Sequence, residues 1–213
     1  MIAALTAMGL AAAAGLNAYI PFLLIALVTR YTDLITMPAA YQWIESWWAI
    51  GIGTVLLLVE VVLDKIPAID SINDAIQTFI RPTMAGLLSA ATTSAAALDE
   101  STWSTEHPWV NIAIGVVVAG LVHTGKATAR PVINTATIGI GAPVVSTVED
   151  GTSLGLSLVA VFLPALVLIA LALLAAPMVW VWRRRRLRRR ATARDRRSPV
   201  TAAGPRAADA DRP

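Results

Sequence analysis

Five ionisable side chains, Asp64, Lys65, Asp70, Asp74 and Arg81, sit inside the stretch DKIPAIDSINDAIQTFIRP, between two strongly apolar segments. A second group, His123, Lys126, Arg130, Asn134, Glu149 and Asp150, follows a later apolar run, and Asn17 stands in the first one. Asp70, Asp74, Gln77 and Arg81 recur at steps of three and four, as do His123, Lys126, Arg130, Asn134 and Thr137, so each set makes a stripe on one helix face. The first stripe is mainly acidic and the second basic.

Two kinds of chemistry suit such stripes. They can pair across a helix interface as structural salt bridges. Alternatively, Arg81-Pro82 and Arg130-Pro131 open two half-helices, whose free N–H groups and positive dipole ends receive an anion. Repeated units with broken helices that meet in the bilayer are how many secondary transporters build a substrate site. On that reading the twelve residues named above from the two groups and Asn17, with Gln77 and Thr137 set aside, are expected to bind a substrate. Asn17, in an apolar span, is expected to face a helix partner or a cavity. Glu60, one turn before Asp64, is expected to reach the headgroup layer in preference to the alternative, a buried role.

Catalysis finds less support. The motif His-Glu-x-x-His and a complete phosphate-binding glycine loop are both missing. Asp70 with Asp74, or Glu149 with Asp150, has the oxygen ligands a Mg²⁺ ion prefers, but paired acids are common on solvated faces. With no cysteine and two histidines, a thiolate nucleophile or a Cys- or His-rich metal site is not expected. The expectation is a non-enzyme with no metal and no cofactor.

These residues need elements to hold them, and the composition says which. Of 213 residues 56% are hydrophobic, and several apolar runs approach the roughly 20 residues that cross a bilayer. The expected fold class is an all-α polytopic transmembrane helical bundle with two related helix-connector-helix units and re-entrant or broken segments. Residues 1–182 form the membrane domain and carry 5 basic against 11 acidic residues, whereas residues 183–213 carry 12 basic against 3 acidic. Such a tail, headed by RRRRLRRR, is expected to be disordered, to lie on the cytoplasmic face of the plasma membrane and to attract anionic lipid headgroups. It is not expected to bind nucleic acid.

Along the chain, Gly15 to Pro21 predicts a kinked or broken helix within residues 2–29. No Lys or Arg precedes this run, so a cleaved signal peptide is not expected. Trp43, Trp47 and Trp48 mark a bilayer interface and open a span over 47–63. The connector places Ile66, Ile69, Ile72, Ile76, Phe79 and Ile80 on one face, so it lies in the interface or dips inward with its polar stripe lining a cavity. Pro82 opens a third segment to Leu98. Asp99, Glu100, Trp103 and Glu106 form a polar loop, and a fourth span runs from Trp109 to about Val122. Residues 138–143 read as an unwound stretch, and Glu149-Asp150-Gly151 closes the second connector. Pro164 and Pro177 bend a last, uncharged span over 152–182. The count is six crossings if 131–147 crosses and five if it only dips.

A shift of 61 positions pairs Trp48 with Trp109, Lys65 with Lys126, Ile72-Asn73 with Ile133-Asn134 and Pro82 with Pro143, which suggests one unit used twice. The blocks GLNAYIPFLL, DKIPAIDSINDAIQTFIRP, HTGKATARPVINT and APVVSTVED resemble the signature blocks of a small integral-membrane family catalogued as domain of unknown function 4126, over about residues 5–175. That resemblance implies a membrane protein and no particular activity or site residue. The expected function is a small transporter or lipid-handling protein for a substrate with an anionic group, whose partners are membrane lipids and, where it assembles, further copies of itself. The alternative is a structural or regulatory membrane protein in which the buried charges only lock helices together.

Overall fold

The computed structural model describes residues 2–97, 107–137 and 141–176, with 179 and 183; within the helices the side chains of Asp70 and Asn134 also lie outside the described residues. The expected polar loop over Asp99–Glu106 and the basic tail beyond residue 183 fall outside them too, as do residues 138–140 of the expected unwound stretch, whose other three residues, 141–143, are helical instead. All regular structure among the described residues is helical: α1 (Ile2–Leu16), α2 (Tyr19–Tyr31), a 3-10 turn (Ala39–Glu45), α3 (Trp47–Leu63), α4 (Pro67–Ala97), α5 (Pro108–Ala136) and α6 (Gly141–Phe162). A further helix, α7 (Pro164–Ala176), is opened by a 3-10 turn at Pro164, where the bend was expected.

At the centre is α1, an alanine-rich helix buried on every side from Leu10 to Leu16. Helices α4, α5 and α6 pack around it. Its small side chains are what let three neighbours come close, since close backbone approach is how helices gain dispersion contacts where no hydrophobic drive acts between them. The hairpin of α4 and α5 closes in the same way: a Cβ added at Gly115 would lie 2.7 Å from the carbonyl oxygen of Ala85 and against the Ser89 hydroxyl. Backbone cannot swing aside as a side chain can. Gly115→Ala is therefore expected to cost about 1–3 kcal/mol, read as a lower melting temperature in detergent, while Gly120→Ala, in a helix interior with open space around it, is expected to raise stability by up to about 1 kcal/mol.

The burial pattern is inverted relative to a protein in water. On α4, Phe79 is 78% exposed and Ile72 and Ile76 are also exposed, whereas Asn73, Gln77 and Arg81 are buried. On α3 the outward residues are Ile52, Val55, Leu58 and Val62, and Glu60 points inward. Helix α5 exposes Ile114, Val117 and Leu121 while burying His123, Lys126 and Arg130, and α6 exposes Val144, Val148 and Leu158 while burying Ser146, Ser153 and Ser157. Greasy faces outside and polar faces inside suit hydrocarbon as the solvent. Helices of spanning length and hydropathy are Pro108–Arg130 and Gly141–Phe162, joined by a third span if the 3-10 turn and α3, bent by 56°, count as one. These features fit a membrane protein.

Several expected boundaries differ. Pro82 does not open a segment: α4 is one helix of 31 residues running through it. Pro131 likewise lies inside α5, which continues past Val122 to Ala136. Proline inside a helix loses one hydrogen bond, and tight packing against neighbours sustains the helix in spite of that. The chain instead breaks between α5 and α6, and Glu149-Asp150-Gly151 falls inside α6 rather than closing a connector. Helix α4 packs against α1 and α5 along its polar stripe, so the connector does not lie flat in the interface. Positions paired by the 61-residue shift have unlike settings, since Lys65 is in the turn after α3 and Lys126 is inside α5.

Candidate functional site: a buried ion-pair network at a helix break

The expected break in the first segment lies at Asn17 and Ala18. The Asn17 side-chain oxygen accepts from the backbone N–H groups of Tyr19 (3.0 Å) and Ile20 (3.2 Å), and Pro21 has no N–H to satisfy. Asn17 thus caps the start of α2 completely enough to leave no open N-terminus there for an anion. Its amide donates to Asp150 Oδ1 at 2.9 Å. On the other side of the break, α1 ends with free carbonyls, and cations meet them: Arg81 Nη1 donates to the Gly15 oxygen (3.4 Å) and Lys126 Nζ to the Leu16 oxygen (3.1 Å). Positive charge at a helix C-terminus opposes the negative end of its dipole.

Around this break the two stripes meet. Asp64, the residue after α3, places Oδ2 3.2 Å from Lys126 Nζ, 2.9 Å from Arg130 Nη2 and 3.9 Å from Arg81 Nη2, and its Oδ1 accepts from Asn73 at 2.6 Å. Glu149 Oε2 lies 3.1 Å from Lys126 and 2.6 Å from Arg130. Glu60 Oε1 accepts from Arg81 Nη2 at 2.7 Å. Asp74 Oδ2 stands 3.7 Å from Arg130 Nη1. At the rim, Lys65 is 4.0 Å from Asp150 and 36% exposed. The basic stripe on α5 therefore pairs across helices mainly with Asp64 and Glu149, and from the acidic stripe on α4 Asp74 approaches Arg130.

Lys126 shows how tightly the cations are held. Its ammonium has three hydrogens and three acceptors, Leu16 O, Asp64 and Glu149. Arg81 is wholly buried and binds Glu60, the Gly15 carbonyl and His123. The histidine ring is neutral by its contacts. Arg81 can only donate, so His123 Nδ1, 3.2 Å away, accepts. Nε2, 3.0 Å from the Thr78 hydroxyl, is then the N–H, because that hydroxyl gives its own hydrogen to the Asp74 carbonyl. A general-base role for His123 has no support in this arrangement, since its lone pair is taken.

Of the expected site residues, Asn17, Asp64, Asp74, Arg81, His123, Lys126, Arg130, Glu149 and Asp150 come together, with Lys65 at the edge. The side chains of Asp70 and Asn134 lie outside the described residues. Glu60 is a correction: it was expected among headgroups, yet it is buried and paired with Arg81, because the α3 face that carries it turns toward α4. Asn73, Gln77, Thr78 and Ser153 were also missed. Asn73, Gln77 and Arg81 step by four along one α4 face, a signal the sequence carried; the contact of Ser153 with the Ala13 carbonyl at 3.0 Å left no such trace.

A family model described as a domain of unknown function (DUF4126) matches residues 4–184. No curated protein matches the chain, and no solved structure does.

Proposed function

The chain belongs to that family of unknown function, DUF4126, and we propose that it is a small integral membrane transporter or lipid-handling protein whose site is the ion-pair network at the break between α1 and α2. One observation carries the reading: a helix interrupted in the middle of the bundle, with its end carbonyls on Arg81 and Lys126, as in transporters with discontinuous helices. Half-helix N-termini at Pro82 and Pro131 are no part of it. The anionic group of a substrate instead exchanges with Glu149, which is half-buried and bridges Lys126 and Arg130 from the rim. An incoming carboxylate or phosphate replaces one negative charge by another, so both cations stay neutralised throughout. The reading includes no catalytic step. It places the protein in the plasma membrane with five or six crossings and the arginine-rich end in the cytoplasm, in contact with lipids and not with nucleic acid; self-association is compatible with it.

Glu149→Gln tests this. With the competing carboxylate neutralised, inorganic phosphate, glycerol phosphate and acetate are expected to raise the melting temperature of the variant more than that of the wild type, and a preference for glycerol phosphate points to a lipid headgroup. The second reading is the structural lock, favoured by the saturation of Lys126 by three acceptors. It predicts a lower melting temperature for Glu149→Gln and no response to any of the three anions.

A further inference from the structure

The network holds more carboxylates than its cations can match. Among the described side chains, Arg81 pairs with Glu60, while Lys126 and Arg130 are shared by Asp64 and Glu149. Lys65 and Asp150 face each other at the rim. Asp74 is left over. It reaches Arg130 at 3.7 Å, from a guanidinium already bound by Asp64 at 2.9 Å and Glu149 at 2.6 Å. Its Oδ1 is buried with no hydrogen-bond partner among the described residues, and so is Oε2 of the fully buried Glu60. His123 cannot offset the excess, since Arg81 donates to its Nδ1.

The groups facing Asp74 are Lys126, Arg130 and His123 from α5, Arg81 on its own helix, Asp64 at the end of α3 and Glu149 from α6. Behind Arg81 stands Glu60, which makes four carboxylates to three cations among the described side chains in this part of the network. An unmatched charge among membrane helices is costly and normally finds a partner. The bare Oδ1 of Asp74 points to what is needed there: a positive charge that binds oxygen. At 13% exposure Asp74 is sealed enough to require neutralisation and open enough to exchange.

We propose that Asp74 is the seat of one exchangeable monovalent cation, a proton or an alkali metal ion, bound at the edge of the network. For a proton, the added O–H bond removes the extra charge and supplies a donor. For a metal ion, the carboxylate oxygens are the ligands. The inference stands on the charge balance and does not depend on whether a solute crosses the membrane.

The test uses the full chain purified in detergent, with melting temperature read while pH is varied in choline chloride, and while sodium or potassium chloride replaces choline chloride at fixed alkaline pH. For the wild type, stability is expected to rise as pH falls if the cation is a proton, because the folded state then takes up a proton that the unfolded chain does not hold. It is expected to rise with the metal salt if the cation is an alkali ion. Asp74→Asn is expected to melt at or above the wild type at alkaline pH and to lose whichever response the wild type shows. A variant that melts lower and keeps the wild-type response, or that fails to fold, overturns the proposal, as does a wild type insensitive to both. Phosphate binding by Glu149→Gln is a separate readout, so the transporter reading and this one can fail independently.

Discussion

Asp64→Asn is expected to be strongly destabilising, lowering the melting temperature by about 10 °C. Removing one partner of a buried ion pair costs about 3–5 kcal/mol, and for a chain of this size each kcal/mol moves the transition by roughly 2–4 °C. Asp64 is nearly inaccessible and serves Lys126, Arg130, Arg81 and Asn73 at once. Without its charge, Lys126 and Arg130 share Glu149, while Asp74 is 3.7 Å from Arg130. The effect reaches beyond the cluster. In the C-terminal half of α3 only Glu60 is buried, its other residues facing outward or lying part-buried, so Glu60 and the following Asp64 tie that end of α3 to α4 and α5. Asp74→Asn makes the same formal change of charge and is expected to act in the opposite direction. The pair of variants therefore separates geometry from net charge: equal melting temperatures for the two, or Asp64→Asn within a degree or two of the wild type, removes the basis for calling Asp64 the hub.

What could be read from residue types was the face each residue occupies and some helix ends, α3 over 47–63 among them, and what could not was that α4 and α5 run through their prolines. The steps of three and four in DKIPAIDSINDAIQTFIRP already put Asp74, Gln77 and Arg81 on one side and the isoleucines on the other, and α4 keeps that division. The break at Asn17 was legible because glycine and proline flank it and an amide can cap locally. Proline misled at positions 82 and 131. In water it ends helices dependably, whereas among packed helices the lost hydrogen bond is outweighed by continuous contact on both sides. Glu60 was misjudged from distance along the chain: one turn from a helix end suggests headgroups, yet orientation about the α3 axis decides, and the side toward α4 holds Arg81. No local pattern announces that Gly15 and Leu16 carbonyls receive Arg81 and Lys126, because those contacts join residues 66 and 110 positions apart.

The Glu60–Arg81 pair offers the sharpest division between a lock and a site. Arg81→Met leaves Glu60 buried without its 2.7 Å partner and is expected to cost about 3–5 kcal/mol, whereas replacing both members by apolar groups of similar volume is often neutral or stabilising. The double variant Glu60→Met with Arg81→Met is thus expected to recover the part of the loss that comes from the unpaired Glu60 carboxylate. It will not recover the whole loss, since the Gly15 carbonyl and His123 Nδ1 lose a donor, at about 1–3 kcal/mol for each group left unsatisfied. A double-mutant cycle on thermal or chemical denaturation in detergent measures the coupling, expected at about 2 kcal/mol or more. A double variant whose loss equals the sum of the two single losses shows that the pair contributes nothing as a pair. If stability does return, the recovered protein becomes the probe of function. A network that only locks helices is replaceable by grease, so the double variant then behaves as the wild type in every assay. If the network is a site, the protein folds and yet phosphate no longer stabilises it, even in the Glu149→Gln background, because Arg81 holds Asp64 and the α1 terminus in the arrangement that presents Lys126 and Arg130 to an anion.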